Sequence, residues 1–114
     1  MNPPPEMAFA TTVHCLEVLD AVQKDSRTSG WYWGEVRGKA AVGAATGALW
    51  RRDLICSRVG PPPFQLTAKG EAFLKAHKQA WAAFLAHTDR AATVEHFARA
   101  LTQVPEIDKA PGAE

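Results

Sequence analysis

Along the first quarter of the chain, apolar residues fall at helical spacing. Phe9, Val13, Leu16, Leu19 and Val22 recur every three or four positions, with Glu17, Asp20 and Gln23 on the opposite side. This pattern predicts an amphipathic helix over about residues 6–25. Turn-forming residues 26–30 (Ser-Arg-Thr-Ser-Gly) end it. Residues 31–37, Trp-Tyr-Trp-Gly-Glu-Val-Arg, are long enough for two helical turns, with Ser29 as an upstream cap and Gly38 as a stop. The aromatic run Trp31, Tyr32 and Trp33 reads as core packing. Residues 40–52 are alanine-rich and free of proline, and Val42, Ala45 and Leu49 share one face, which predicts a third helix. Gly43 and Gly47 each weaken such a helix by roughly 1 kcal/mol relative to alanine, so the fold or the function must compensate.

From residue 54 the period changes. Leu-Ile-Cys-Ser-Arg-Val at 54–59 alternates like a strand, Gly60-Pro61-Pro62-Pro63 breaks it, and Phe64-Gln65-Leu66 resumes it. A short hairpin with a proline-stiffened loop is expected. Thr67 is the predicted cap of one long helix over about residues 68–87. Its stripe of Phe73, Leu74, His77, Trp81, Phe84 and Leu85 would form a rod about 30 Å long. Thr88-Asp89 supplies a break and a new cap for a last helix over about residues 90–104, with Val94, Phe97, Ala98, Leu101 and Val104 on one side. Pro105 ends that helix. The expected organisation is a disordered, proline-rich leader (1–7), a head (8–66), C-terminal helices (67–104) and a disordered tail (105–114). The fold class is mainly α with a small β-hairpin.

Two stretches resemble the winged helix-turn-helix regulators, with the MarR and PadR families as the nearest comparison. The first is Ala48-Leu49-Trp50-Arg51-Arg52-Asp53-Leu54-Ile55, similar to the end of a recognition helix running into the first wing strand. Asp53 stands where that family commonly has glycine, and it tolerates a left-handed backbone less well. The second is Phe64-Gln65-Leu66-Thr67-Ala68-Lys69-Gly70-Glu71-Ala72-Phe73-Leu74, similar to the second wing strand and the Leu-Thr-x-x-Gly helix start. The resemblance covers about residues 8–87. It implies a winged helix-turn-helix whose third helix enters the major groove of DNA.

Charge distribution fits that expectation. The whole chain has 13 basic and 12 acidic residues, yet residues 24–78 hold ten basic against four acidic, and the flanks hold three against eight. A basic middle between acidic ends suits a polyanion partner. Arg37, Lys39, Arg51, Arg52, Arg58 and Lys69 are the candidate phosphate contacts. Gly43, Ala44, Gly47 and Ala48 stand where a sequence reader often has Arg, Asn, Gln or Ser, and they supply no bidentate hydrogen bonds to bases, so that specificity falls to Lys39, Thr46, the arginines and DNA shape. That deficit keeps a second reading open, in which the same face docks on a protein, as in an adaptor or inhibitor. Two long apolar helices on so small a head also suggest a homodimer, formed through Phe73, Leu74, Trp81, Phe84, Leu85, Val94, Phe97 and Leu101. The alternative is a monomer in which the last helix folds back over the first.

Other chemistry is poorly supported. His14, His77, His87 and His96 lack HxxxH or HExxH spacing, and neither Cys15 nor Cys56 lies three or four residues from one of them, so no zinc or other cofactor is expected. Residues 34–39 superficially resemble a phosphate loop but have one residue too few between the glycines, and Ala40 replaces the hydroxyl residue. No nucleophile, base or paired-carboxylate arrangement is legible, so the chain is not expected to be an enzyme. Neither a signal peptide nor a membrane span is apparent, which predicts a cytoplasmic protein with reduced cysteines. A small-molecule effector and a redox role for either thiol are left open.

Overall fold

A computed structural model describes residues 7–24, 40–57 and 64–107, with the backbone alone for residues 40–42. The fold among these residues is mainly helical with one small sheet. In chain order the elements are α1 (Phe9–Gln23), α2 (Ala40–Arg51), β1 (Ile55–Ser57), β2 (Phe64–Leu66), α3 (Ala68–Ala76), α4 (Lys78–Leu85) and α5 (Arg90–Gln103). The expected helix at residues 31–37 and the proline-rich loop lie outside the described residues, as do Trp31, Tyr32 and Trp33.

Helix α1 buries Thr12, Cys15, Leu16, Val18, Leu19, Ala21 and Val22. The apolar arc is therefore wider than the sequence stripe and turned away from its first member: Phe9 is 56% exposed. α1 lies against α2, which turns Ala45, Ala48 and Leu49 inward. β1 and β2 pair antiparallel, with Ile55 opposite Leu66, Cys56 opposite Gln65 and Ser57 opposite Phe64.

The largest departure from expectation is the long helix. It is two helices, broken at His77, whose φ of −114° and ψ of 33° leave the helical region. The His77 amide is shared between the carbonyls of Phe73 and Leu74, each at 3.2 Å. No 30 Å rod exists. After the break α4 packs on α5, and α5 folds back across α1. This geometry also corrects the proposed dimer stripe. Phe73, Leu74, Trp81, Phe84, Val94, Phe97 and Leu101 are buried within the chain itself, and only Leu85 is exposed, at 41%. Phe97 is the centre of this packing, with its ring 6.1 Å from Phe73 and 5.8 Å from Trp81. The Trp81 indole N–H donates to Gln23 Oε1 at 3.1 Å, which satisfies its polar end and ties α4 to the end of α1.

Head and C-terminal helices share one hydrophobic cluster, running from Cys15 through Leu49 and Ile55 to Phe97 and Leu101. The boundary expected at residues 66 and 67 therefore separates no independent cores. Among the described residues no helix is long and apolar enough to cross a membrane.

Candidate nucleic-acid interface

Helix α2 has two unlike sides because its small residues fall in register. Ala45, Ala48 and Leu49 face α1, which removes Ala48 from the expected groove-facing set, whereas Gly43 and Ala44 are exposed and Thr46 and Gly47 are half-buried. Helical spacing puts Gly43 and Gly47 one turn apart on the outer side, with Arg51 a turn further on. An Arg51 guanidinium nitrogen lies 3.2 Å from where a Gly47 Cβ would stand, so its side chain runs back along the helix over that glycine. Around Gly43 a Cβ would meet nothing within 4 Å.

The C-terminal end of α2 is closed by backbone geometry. The Leu54 amide donates to the Leu49 carbonyl at 3.1 Å and the Asp53 amide to Trp50 at 3.0 Å. Asp53 has φ 60°. This is a Schellman termination with an aspartate in the left-handed position, where glycine is the unstrained choice. The sequence resemblance expects a left-handed residue here, and the chain adopts it without the glycine.

A second seam joins that turn to the start of α3. Thr67 accepts from the Gly70 amide at 2.9 Å and its hydroxyl donates to the Asp53 carbonyl. The predicted cap is therefore present, and it also bridges two elements. The Thr67 amide donates to the Leu54 carbonyl at 3.2 Å. Gly70 is pressed against that same carbonyl, and a Cβ there would collide with the Leu54 oxygen and crowd Leu66. The Leu-Thr-x-x-Gly pattern thus has a direct physical cause: α3 crosses the end of the hairpin at backbone contact.

The two adjacent arginines diverge. Arg52 has a side chain only 12% exposed. Its Nη1 donates to the Ala48 carbonyl at 3.0 Å and its Nε to Leu101 at 2.9 Å. It therefore places one cation over the last turns of both α2 and α5, where the Leu101 carbonyl also accepts from the Val104 amide at 3.1 Å, and its Nη1 lies 3.4 Å from Glu106 Oε1. This overturns its expected role as a phosphate contact. Arg51 remains on the surface, 51% exposed, with Nε 3.4 Å from Glu106 Oε1. Residues 105–107, expected to be a disordered tail, instead fold onto this end: the Ile107 amide donates to the Arg51 carbonyl at 2.7 Å. Glu106 and Ile107 carried no sequence signal, because their partners lie more than fifty residues away.

The remaining cations scatter. Arg37, Lys39 and Arg58 lie outside the described residues. Lys69 is half-buried in the first turn of α3. Lys24 pairs with Asp20 at 3.1 Å, and Lys75 and Lys78 rim a cleft between α1, β2 and the α3–α4 joint. Of the ten basic residues in the middle of the sequence, Arg51 is thus the one described cation on the outer side of α2.

Both cysteines are free thiols. Cys15 is buried beside the Ala45 carbonyl, and desolvation pushes its pKa up to about 12 despite the opposing pull of Arg52. A thiol so reluctant to ionise is a poor nucleophile. His77 is shifted below the usual imidazole range, first by partial desolvation and then by His96. Among the described residues no group of three or more His, Cys, Asp or Glu side chains converges. No family model, curated protein or solved structure matches this chain.

Proposed function

We propose that the chain is a winged helix-turn-helix protein that binds double-stranded DNA through the outer side of α2. The observation that carries this reading is the asymmetry of α2. One side is buried on α1, and the other is small-residued, with Gly43 and Ala44 exposed and Thr46 and Gly47 half-buried, and lies next in the chain to a short hairpin. The order α1, α2, β1, β2, α3 and the Schellman turn into β1 support it further, as does the backbone contact at Gly70. In this reading Gly43, Ala44 and Gly47 let the helix sit deep in the major groove, where Ala44 meets thymine methyl groups. Arg51 holds phosphate, together with Lys39 and Arg58 from the adjoining segments, and fixes position without reading sequence. Specificity then rests largely on groove shape and on residues outside α2. The reading also places the protein in the cytoplasm and makes it a transcriptional regulator rather than an enzyme. Any two-fold pairing would have to use surfaces other than the buried α3–α5 stripe.

A second reading is favoured by one specific observation, the withdrawal of Arg52 into the fold. With that cation withdrawn, the described outer side of α2 keeps only Arg51, itself facing Glu106, beside small uncharged residues, which suits docking on a protein partner.

Selection of bound genomic fragments at moderate salt, followed by titration of an enriched duplex, separates the two. DNA binding should weaken steeply with salt, because displaced counterions drive much of the affinity. Arg51→Ala should reduce the salt slope by about one phosphate contact. Gly43→Glu, at a position with open space around it, should abolish binding while the circular dichroism spectrum stays unchanged. A duplex held equally well by Gly43→Glu would remove α2 from the interface, and no enriched fragment at any salt would favour the protein partner.

A further inference from the structure

Two histidines far apart in sequence meet on the side of the molecule formed by the α3–α4 joint and α5. His77 Nδ1 and His96 Nε2 lie 2.8 Å apart, hydrogen-bonded to each other at an exposed site. They open onto a recess of about 570 Å³ between the joint and α5. Neither ring is loose. His77 is braced by Phe73 at 4.8 Å and Phe97 at 5.9 Å, and His96 stands edge-on to Phe97 at 5.4 Å. The break between α3 and α4 falls at His77 itself, so the residue that interrupts the predicted rod is the one presented to His96.

We propose that His77 and His96 form a two-imidazole seat for a divalent transition metal, with water completing its coordination. The spacing suits this. With metal–nitrogen bonds of about 2.0–2.1 Å, two ligands at a right angle lie roughly 2.9 Å apart, and at a tetrahedral angle roughly 3.3 Å apart. The pair therefore needs to open by about 0.1 Å for a right angle or about 0.5 Å for a tetrahedral one, with each ring turning against its aromatic neighbours until both lone pairs converge. The hydrogen now shared between the two nitrogens moves to the far nitrogen of its own ring by tautomerisation. Two neutral imidazoles then donate two lone pairs, and no proton is released.

The donor set also selects the metal. Imidazole favours copper, nickel and zinc, whereas magnesium and calcium require oxygen ligands. The carboxylate next in sequence, Glu95, is paired with Arg99, and Lys75 and Lys78 line the recess as cations. Affinity should therefore follow Cu²⁺ above Ni²⁺ and Zn²⁺, with no response to Mg²⁺. A bound metal would clip the α3–α4 joint to α5 and stabilise the fold by mass action. This inference is independent of the DNA reading.

The test is calorimetric titration of the full chain with CuCl₂, NiCl₂, ZnCl₂ and MgCl₂, with His96→Ala and His77→Gln alongside. The expected result is one Cu²⁺ per chain, with affinity lowered about tenfold or more in each variant. Electron paramagnetic resonance of the copper form should show two coupled nitrogens in the parent and fewer in His96→Ala. Addition of Cu²⁺ should raise Tm in the parent and leave it unchanged in His96→Ala. His96 is exposed, so its truncation keeps the test valid even where His77→Gln perturbs the joint. Copper bound equally by the parent and both variants would place the metal elsewhere, and the absence of Cu²⁺ heat at millimolar metal would also overturn the proposal.

Discussion

Gly70 and Gly43 occupy two regions of the molecule that make opposite demands on the same residue type. At Gly70 the chain leaves no room: α3 crosses the Leu54 carbonyl at backbone contact, and Thr67 fastens the crossing from both sides. At Gly43 a Cβ would meet nothing within 4 Å. One glycine is explained entirely from inside the fold, and the other has no internal explanation. The same contrast holds for Arg52 and Arg51, neighbours of identical charge. Arg52 is spent on carbonyls at two helix ends, whereas Arg51 keeps half its side chain in solvent. Composition counts these pairs as equivalents. Only the contacts distinguish a residue that builds the fold from one that is left over for a partner.

The sharpest way to break this contrast is at the seam. Gly70→Ala should destabilise the protein by about 3 kcal/mol or more, because the new methyl group meets backbone that cannot move without parting the hairpin from α3. Urea unfolding measures this directly. A loss below about 1 kcal/mol would mean that the crossing is looser than the structure shows.

Arg52→Ala comes next. It strips a charged donor from the Ala48 and Leu101 carbonyls, at a cost of about 1.5–3 kcal/mol. The companion Arg51→Ala should change stability by less than about 1 kcal/mol, since an exposed pair with Glu106 contributes little. Equal effects of the two substitutions would erase the distinction drawn between them. A double replacement of both arginines is consequently a poor probe of DNA binding, because it unsettles the fold at the same time.

Much of this architecture is legible in the residues themselves. The helical segments, the two short strands and the Thr67 cap each arise from local signals and are present in the structure, although burial along residues 54–57 declines steadily instead of alternating. Asp53 is instructive because its neighbours announce a left-handed turn while its own identity argues against one. What sequence periodicity could not reveal is non-local. The stripe running through Phe73, Trp81 and Phe84 continues smoothly past His77, so nothing in it predicts a break. Past the break α4 packs on α5 while the Trp81 indole reaches Gln23 at the end of α1, contacts that no local spacing announces. The same limit hides Glu106, Ile107 and the meeting of His77 with His96. Two apolar helices without a local partner suggest a dimer or a fold-back, and within the chain the last helix does lie back on α1.

The buried side of the α1–α2 contact offers a third test, through pH. Cys15 titrates near 9.0 in an open chain, and burial raises it to about 12 in the fold. A folded pKa above the unfolded one means that stability is intact below pH 9.0 and is lost as pH rises from there towards 12. By pH 10 the loss from this group should be about 1–2 kcal/mol. Other groups also titrate in that range, so Cys15→Ala is the necessary control. Its stability should fall less steeply between pH 8 and pH 10 than that of the parent, whatever its absolute value. Parallel slopes would show that the thiol is already solvated on the α2 side.

The smallest effect tests the other member of the opening pair. Gly43→Ala fills open space on a helix, so it should raise stability by about 0.5–1 kcal/mol through reduced freedom of the unfolded chain and better helix propensity. A gain of that size would mean that the fold has no use for this glycine and does better without it. The residue must then serve something outside the chain that approaches the α2 backbone closely, which is what a groove floor or a flat partner surface does. The methyl group is small enough to separate these two. A duplex whose backbone and bases surround the helix should lose affinity for Gly43→Ala, whereas a protein surface with side chains able to shift should accept it. A loss of stability on substitution would instead place an internal neighbour over Gly43, and the bare side of α2 would no longer stand as the contact surface.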